Sequence, residues 1–460
     1  MQMKKETLVQ TGIIAILAII LVIVIYKITT LQGANGQMPK MGEGGMQMQE
    51  SQSNVESFGA TEVTDTQELS GEYESSTADE SVIKVSDGGN ATIDGAKVTK
   101  SGGDSSNTEN SEFYGVNAGI LTTEGSTTTI KNATITTDAK GSNAIFATGE
   151  DAKVYVSDST IETTGESSSR GLDATYGGYI EAENVTISTQ GGSCASLATD
   201  RGEGTVIAKN STLSTAGSGS PVIYSTGDIA LEDSKGTATG AQITVVEGKN
   251  SATIKNSTVM ASGKGNRNDV DNCAVMIYQS MSGDAGEGTG TFSAVDSKLE
   301  IDENSDYYKT APFFFITNTD AVINLENTTL SYGSNVLISS KGTSEWGNSG
   351  SNGGNVVLNA TNQILVGDIE VDKLGTAEIN LAEKSSIEGT INGENSAKSI
   401  TLKLDKSSKL VLTGDCYVTE LEDEDSDYSN IELNGYKLYV NGEELKVWDN
   451  QKMKLQMEKE

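Results

Sequence analysis

The feature of the sequence that most limits its fold is a short motif that returns about every 26 residues. The motif reads KNATI, SDSTI, ENVTI and KNSTL, and its corner residue stands at Asn132, Asp158, Asn184 and Asn210, each 26 residues after the last. It continues less evenly at Asp233, Asn256, Asp296 and Asn327. A repeat of this length indicates a solenoid, in which each unit buries its apolar side against its neighbours.

Each repeat contains three short segments with strand character. One precedes the corner, as in STTTI, KVYV and GTVIA, and one follows it. A third begins with an inward apolar residue at Ile120, Ile145, Leu172, Leu197 and Ile223. Short, alternating, β-branched segments are typical of strands, and Asn or Asp suits the corner geometry. We predict an all-β fold, a single-stranded parallel β-helix, right-handed by the usual crossover rule.

The β-helix is predicted to span residues 81–447 and to end in a hairpin cap. The segment GYKLYVNGEELKV has an alternating pattern on both sides of Asn441-Gly442, a pair typical of a type I′ turn. Such a hairpin would cover the strand edges of the last coil. We expect residues 448–460 to form a charged tail and residues 31–80 to form a flexible low-complexity linker.

The N-terminal segment, residues 1–30, has the character of a membrane anchor. The run GIIAILAIILVIVIY carries no charge, and with its flanks it approaches the ~20 residues that cross a bilayer. Lys4 and Lys5 precede it, which predicts a cytoplasmic N-terminus and an exported C-terminal region. No A-x-A-like cleavage site follows Tyr26. We therefore expect an uncleaved transmembrane helix in preference to a cleaved signal peptide.

The composition restricts the functions that the chain can perform. Its 32 Lys and Arg against 65 Asp and Glu give a formal net charge of −33, so we expect no nucleic-acid partner. The sequence contains no histidine, which excludes Ser-His-Asp, Cys-His and His-metal chemistry. Three widely spaced cysteines indicate neither a disulfide framework nor a zinc site. We predict no cofactor, although the acidic run Glu422–Asp427 leaves a calcium site open.

An apolar row is the most suggestive candidate for a binding surface. The residue after each inward apolar side chain of the third segment should point outward. In this row stand Leu121, Phe146, Tyr224, Met276 and Phe315, interrupted by Asp173 and Ala198. The row would either stack sugars or a protein partner, or lie beneath inserted loops.

Long insertions supply further aromatic candidates. The loop IDENSDYYKTAP carries Tyr307 and Tyr308, and SSKGTSEWGNSGSNGGN carries Trp346. Loops on a rigid scaffold are favoured places for recognition, but they are equally tolerated as decoration. The predicted ligand-binding residues are thus Phe146, Tyr224, Met276, Phe315, Tyr307, Tyr308 and Trp346.

The arginines could be catalytic residues, and the corner asparagines could be glycosylation sites. The pairs are Arg170 with Asp173, Arg201 with Asp200 and Arg267 with Asp269. Parallel β-helix polysaccharide lyases use an Arg or Lys base beside calcium-binding acids, but we favour a surface ion-pair ladder. Several corner asparagines also lie in N-x-S/T triplets, either as glycosylation sites or because corner chemistry and threonine produce the triplet.

With its corner motif and the phrases GLDATYGG, ATDRGEG and GSPVIYSTGD, the chain resembles adhesin-like, right-handed β-helix repeat proteins of gut Firmicutes over roughly residues 90–447. The resemblance implies a cell-surface location and an adhesive or glycan-contacting role, without established catalytic residues. An LPxTG-type sorting signal is missing from the sequence, which leaves the N-terminal helix as the visible anchor.

We predict a single-pass membrane protein with an extracellular rod that acts as a non-enzymatic adhesin or carbohydrate-binding protein. Its expected partners are surface glycans or surface proteins of host or bacterial cells. The alternatives are a polysaccharide lyase or hydrolase on a pectate-lyase-like β-helix, and a purely structural spacer.

Overall fold

The computed structural model describes residues 55–265 and 272–446. Within them, 43 strands and one short helix, α1 (Thr108–Tyr114), follow one another along the chain. The strands pair with those of the preceding and following coils and form long parallel sheets. We call the three sides of the solenoid face A, face B and face C.

Face A is a 12-stranded parallel sheet. Its strands are β1 (Phe58–Val63), β4 (Glu80–Val85), β7 (Ile120–Thr123), β10 (Ile145–Thr148), β13 (Leu172–Thr175), β16 (Leu197–Thr199), β19 (Ile223–Ser225), β22 (Thr244–Glu247), β25 (Val275–Tyr278), β28 (Phe314–Thr317), β31 (Val336–Ser340) and β34 (Asp368–Val371).

Face B is a 14-stranded parallel sheet. Its strands are β2 (Thr66–Leu69), β5 (Asn90–Asp94), β8 (Thr127–Lys131), β11 (Lys153–Ser157), β14 (Tyr179–Glu183), β17 (Thr205–Lys209), β20 (Asp228–Glu232), β23 (Ser251–Lys255), β26 (Thr289–Val295), β29 (Asp320–Glu326), β32 (Asn355–Thr361), β35 (Thr376–Ala382), β37 (Ser399–Leu404) and β40 (Glu420–Asp423).

Face C consists of a ten-stranded sheet followed by a separate four-stranded one. The first contains β3 (Glu72–Ser75), β6 (Lys97–Lys100), β9 (Thr134–Thr137), β12 (Thr160–Thr163), β15 (Thr186–Thr189), β18 (Thr212–Thr215), β21 (Lys235–Ala238), β24 (Thr258–Ala261), β27 (Lys298–Ile301) and β30 (Thr329–Ser331). The second contains β33 (Ile364–Val366), β36 (Ser386–Gly389), β38 (Lys409–Leu412) and β41 (Ile431–Glu432).

The predicted parallel β-solenoid is confirmed, and an antiparallel hairpin stands near residue 441. A small end sheet contains β39 (Cys416–Val418), β42 (Leu438–Val440) and β43 (Glu443–Glu444), with β42 and β43 antiparallel. Asn441 and Gly442 between them have φ values of 50° and 81°, as a type I′ turn requires. The handedness of the solenoid stays a prediction.

The solenoid begins earlier than the sequence predicted. The strands β1 to β3 form a first coil within residues 58–75, inside the segment assigned to the flexible linker, so the boundary at residue 81 was placed too late. FGATEV, TQEL and EYES are mostly polar, and only Val63 and Leu69 among their apolar residues are buried. The pairing with the next coil, which a single segment does not reveal, makes them strands.

The predicted anchor and the charged tail lie outside the described residues. Across the described ranges, no helix is long and apolar enough to cross a membrane. The expectation of a transmembrane helix within residues 1–30 therefore stays a prediction, as do the assignments of the rest of the linker and of the tail at 448–460.

The coils that contain β8 to β33 turn from face B to face C at an Asn or Asp with left-handed backbone geometry. Asn132, Asp158, Asn184 and Asn210 have φ values of 50–54°, a region that Asn and Asp enter at lower cost than other side chains. The Asn184 Nδ2 donates to the Asp158 Oδ1 over 2.6 Å, which links successive corners. The turn thus explains the polar column, whereas glycosylation stays a prediction.

A ladder of buried hydroxyls joins the coils just after these corners. The Ser211 N–H donates to the Ser234 Oγ (2.9 Å), and the Ser234 N–H donates to the Ser257 Oγ (3.0 Å). The same contact runs from Ser257 to Ser297 (3.1 Å). Each hydroxyl also donates to a carbonyl two residues earlier, such as that of Ser234 to Glu232 O (2.5 Å). Because these groups are buried, the hydroxyl column satisfies N–H groups that the corner turns away from the strand ladder.

Replacing one hydroxyl tests this ladder. Ser234→Ala leaves the buried Ser211 N–H without its acceptor, so we expect a loss of about 1–3 kcal/mol in the free energy of unfolding, measured by urea denaturation. Ser218→Ala, at an exposed serine, is the control and should change the midpoint little. Equal midpoints for both variants would contradict a structural role for the ladder.

Candidate functional site

The predicted apolar row exists as one register column on the outer side of face A. Strand pairing aligns Leu121 with Phe146 and Asp173, and Tyr224 with Val245 and Met276. The column is nevertheless covered: Phe146 and Phe315 are 0% exposed and Met276 is 3% exposed. Of the two interpretations of the row, the structure favours the one in which other segments lie over it. The ligand-binding role of these residues stays a prediction.

Helix α1 covers the N-terminal part of the row. It packs where Leu121 and Phe146 form a small buried cluster. Its last carbonyls are held by side chains of face A, since the Thr175 Oγ1 donates to the Phe113 O over 2.8 Å. Gly115 ends the helix at a φ of 66°, and a Cβ there would lie 2.5 Å from the Phe146 ring. Glycine at this position therefore permits both the turn and the close packing.

The loop that carries Trp346 covers the other part of the row. Trp346 is 8% exposed and belongs to a buried cluster with Val245, Cys273, Met276, Tyr278 and Phe315. Its ring lies 4.5 Å from that of Tyr278. The Tyr224 and Tyr278 hydroxyls both donate to the Glu247 Oε2, over 3.0 and 2.6 Å. The structure thus brings four of the predicted residues (Tyr224, Met276, Phe315 and Trp346) together, but as packing.

A buried charge cluster lies between these two covers. The Arg170 Nη1 contacts the Oδ2 atoms of Asp173 (2.7 Å) and Asp200 (2.8 Å), and the Nη2 lies 3.8 Å from the Glu112 Oε1 on α1. The side chains of the two aspartates are 0% and 6% exposed. The surface ion-pair ladder expected here is therefore wrong for Arg170, whose ion pairs are buried. The Arg201 guanidinium pairs with Asp284 (2.5 Å), and only the Arg201 backbone N–H contacts Asp200 (2.9 Å).

Burial sets the protonation of this cluster. It raises the pKa of Asp173 to about 6 and that of Asp200 to about 7, although Arg170 acts in the opposite direction. One guanidinium cannot compensate two buried carboxylates and a third nearby. A carboxyl group that titrates near neutrality has the acidity of a general acid. Here, however, its surroundings leave it almost no contact with solvent.

Tyr307 and Tyr308 lie apart from this face. Both are partly buried and pack against the main core from the loop between β27 and β28. Tyr307 lines a cavity of about 310 Å³, and the Gly333 N–H donates to the Tyr308 O over 3.0 Å. The structure therefore does not join them with the other predicted residues.

A pair of outward-facing tyrosines, one exposed and one partly buried, stands on face B, which the sequence analysis did not consider as a site. Tyr155 is 40% exposed, and its ring centroid lies 6.1 Å from that of Tyr179. The Tyr179 hydroxyl donates to Glu181 (3.0 Å), which also accepts from the Lys209 Nζ (3.0 Å). The lysine contact lowers the pKa of Glu181. We call these four residues the aromatic patch; the alternation in KVYVS and YIEAE already directs both tyrosines outward.

A cleft opens on face C where its two sheets separate. A cavity of about 590 Å³ lies between β30 and β33, lined by amides, hydroxyls and the apolar Leu330, and also by Tyr332 and Lys384. Ile364 and Val366 at its edge are 74% and 51% exposed, which is unusual for large apolar side chains. Burial raises the pKa of the Tyr332 phenol, so it remains a hydrogen-bond donor. We call this region the face C cleft.

The acidic run that left a calcium site open folds onto itself. Asp425 accepts hydrogen bonds from the Ser429 hydroxyl (2.5 Å) and the Asp427 N–H (3.2 Å). The serine contact lowers the pKa of Asp425. Among residues 55–265 and 272–446, no group of three or more acidic or cysteine side chains is arranged to hold a metal ion.

The charge cluster predicts an unusual pH dependence. Because burial raises the pKa of Asp200 from 3.8 to about 7 in the folded protein, stability is present below the ordinary pKa and is lost as the pH rises from there to about 7. Asp200→Asn should therefore gain thermal stability over the unaltered protein at pH 8.5 and gain much less at pH 4. Asp158→Asn, at an exposed corner, should leave the pH profile unchanged. A variant that is equally destabilised at both pH values would contradict this assignment.

Comparisons with known proteins add no family to this description. A scan of family models, a search of curated proteins and a search of solved structures find no match for the chain. Its class therefore rests on the strand pairing itself, which is that of a parallel β-solenoid.

Proposed function

We propose that the protein is a non-enzymatic, cell-surface recognition rod that binds glycans on the aromatic patch of face B. The observation that carries the proposal is the pair of outward-facing tyrosines on face B, of which Tyr155 is 40% exposed and Tyr179 is partly buried. Sugars have apolar C–H faces beside hydroxyl groups, so sites for them combine aromatic rings with polar side chains. In the patch, Glu181 and Lys209 supply an acceptor and a donor within reach of the rings.

The shape of the face supports a polymeric ligand. Strands of successive coils repeat at about 4.8 Å, so side chains on face B form straight columns along the solenoid. In register with Tyr155 stand Thr129 in the previous coil, and Glu181 and then Ile207 in the following ones. A glycan chain that lies along the column would meet polar and apolar groups in turn.

The lyase or hydrolase remains the second candidate, and the charge cluster is its only support. Arg170, Asp173 and Asp200 combine a cation with two carboxyl groups whose pKa values are raised. A polysaccharide would have to displace α1 to reach them. We therefore prefer recognition without catalysis. Release of unsaturated oligosaccharides that is lost in Arg170→Ala would support the lyase.

The location belongs to the same proposal. The apolar run in residues 1–30 would anchor the protein, and the acidic chain would stand outside the cell as a soluble rod. The resemblance to adhesin-like β-helix proteins agrees with such a role. The third candidate, a pure spacer, would not explain why Tyr155 and Tyr179 point outward on face B.

Removal of one aromatic ring tests the proposed site. On a glycan array, the full chain should bind a subset of glycans, and Tyr155→Ala should weaken that binding about fivefold, as expected for a loss of about 1 kcal/mol. The double variant Tyr155→Ala/Tyr179→Ala should weaken it further. Tyr436→Ala is the matched control, because Tyr436 is 44% exposed but lies near the end sheet. Equal losses in both single variants, or no glycan bound at all, would contradict the proposal.

A further inference from the structure

The hydrogen-bond ladder of face C is interrupted between β30 and β33. β30 pairs with β27, and β33 pairs with β36, but the two strands end different sheets. They belong to successive coils, and successive face C strands from β3 to β30 are all paired. Each of the two strands therefore presents an edge to the other across the face C cleft.

Gln363 holds one end of the cleft open. It occupies the ladder position that carries Ser297, Thr328 and Ser385 in neighbouring coils. Its Oε1 accepts from the Thr328 N (2.8 Å), and its Nε2 donates to the Thr328 O (2.5 Å) and the Ile364 O (3.1 Å). A glutamine side chain is longer than serine, so the coils separate here. Its amide takes the place of one peptide group of an intervening strand.

Tyr332 spans the other end of the cleft, since its hydroxyl donates to the Val366 carbonyl of the next coil. Between these two side chains, backbone groups turn toward the cleft. The Thr329 N–H donates to the Ser297 O of the preceding coil, and the Ser386 N–H donates to the Gln363 O. Because alternate residues of a parallel ladder face opposite neighbours, Leu330 turns its N–H and C=O groups into the cleft, and Ile364 does the same with its N–H, while its C=O accepts from the Gln363 Nε2.

We propose that the face C cleft is a strand-acceptor site for an extended, non-acidic peptide of a partner protein. A strand placed between β30 and β33 would complete the ladder that Gln363 begins, as in recognition by strand addition. The cavity of about 590 Å³ offers the room, and the two flanking strands of three residues set the length of the pairing. The site is independent of the glycan patch, which lies on face B.

Side chains and charge define the chemistry of the peptide. The exposed Ile364 and Val366 offer β-branched neighbours for cross-strand pairs, which favours apolar residues at alternate positions. Lys384 lines the cleft, but three glutamates surround it: Glu388 is in register with Val366, and Glu326 and Glu383 adjoin lining residues along the chain. With a chain charge of −33, these groups favour lysine or arginine at the other positions and disfavour acidic peptides.

Selection from a random hexapeptide library displayed on phage tests the proposal with the full chain as target. We expect enriched peptides with alternating β-branched residues and an excess of Lys and Arg over Asp and Glu. For a synthetic copy of the best peptide, N-methylation at alternate residues should weaken binding at least tenfold in both parities, because one set of N–H groups faces β30 and the other faces β33. An absence of enrichment, or a parity whose N-methylation leaves binding unchanged, would overturn the proposal.

The variant Gln363→Ser distinguishes binding in the cleft from binding at other surfaces. It should keep the fold, because serine stands at this position in other coils. We expect it to let β30 and β33 approach, to slow hydrogen exchange in residues 329–331 and to abolish peptide binding. Gln190→Ser, at an exposed glutamine, is the control and should bind as before.

The remaining outcomes each overturn the assignment. Unchanged peptide binding by Gln363→Ser would place the peptide elsewhere, as would peptide binding that only Tyr155→Ala abolishes. Self-association that Gln363→Ser abolishes would make the occupant a second copy of this chain. A glycan that binds the unaltered protein but not Gln363→Ser, with no peptide enriched, would make the cleft a sugar site.

Discussion

The left-handed corner, with the hydroxyl that follows it, is the constraint on which the rest of the structure depends. A residue such as Asn210 turns the chain between faces B and C, and the next residue then directs its N–H toward the coil above instead of along a strand. The hydroxyl at the corresponding position of that coil accepts it. From the coil of Val185 to that of Ser385, this contact holds each coil in register with its neighbour, and loops elsewhere can lengthen without disturbing it.

This register also explains why face A needs covers. Once the corner is fixed, the residues after Ile120 and Ile145 must point away from the core, and in these coils they are Leu121 and Phe146. Burying each such side chain gains about 1.5–3 kcal/mol, which favours any segment that can lie over them. Helix α1 does so at one end and the Trp346 loop at the other. The charge cluster around Arg170 is buried because it lies between them.

The sequence predicts the solenoid well because its period and corner chemistry are local properties. It also predicts the apolar row, since alternation along a strand settles which residues share a side. The segments that cover this row could not be predicted in the same way. Helix α1 precedes Leu121, and Trp346 lies 31 residues after Phe315, so only the folded chain shows that these segments pack on the row. The alternation in KVYVS is enough to predict that Tyr155 points outward, but the apolar row on face A is longer and suggested the other face as the binding surface. The first coil was missed because its strands are polar and depend on β4 to β6 for pairing.

Gln363 shows what happens where the constraint is relaxed. A serine at this position, as at Ser385, brings two coils within strand-pairing distance, whereas the longer amide meets the same Thr328 N–H from farther away. The contact is kept, so the register survives, but the strands beyond it separate. Face B remains continuous through the same coils, which confines the opening to one side of the rod. One longer side chain, that of Gln363, thus accounts for the two facing strand edges of β30 and β33, while the corner turn of the coil is kept.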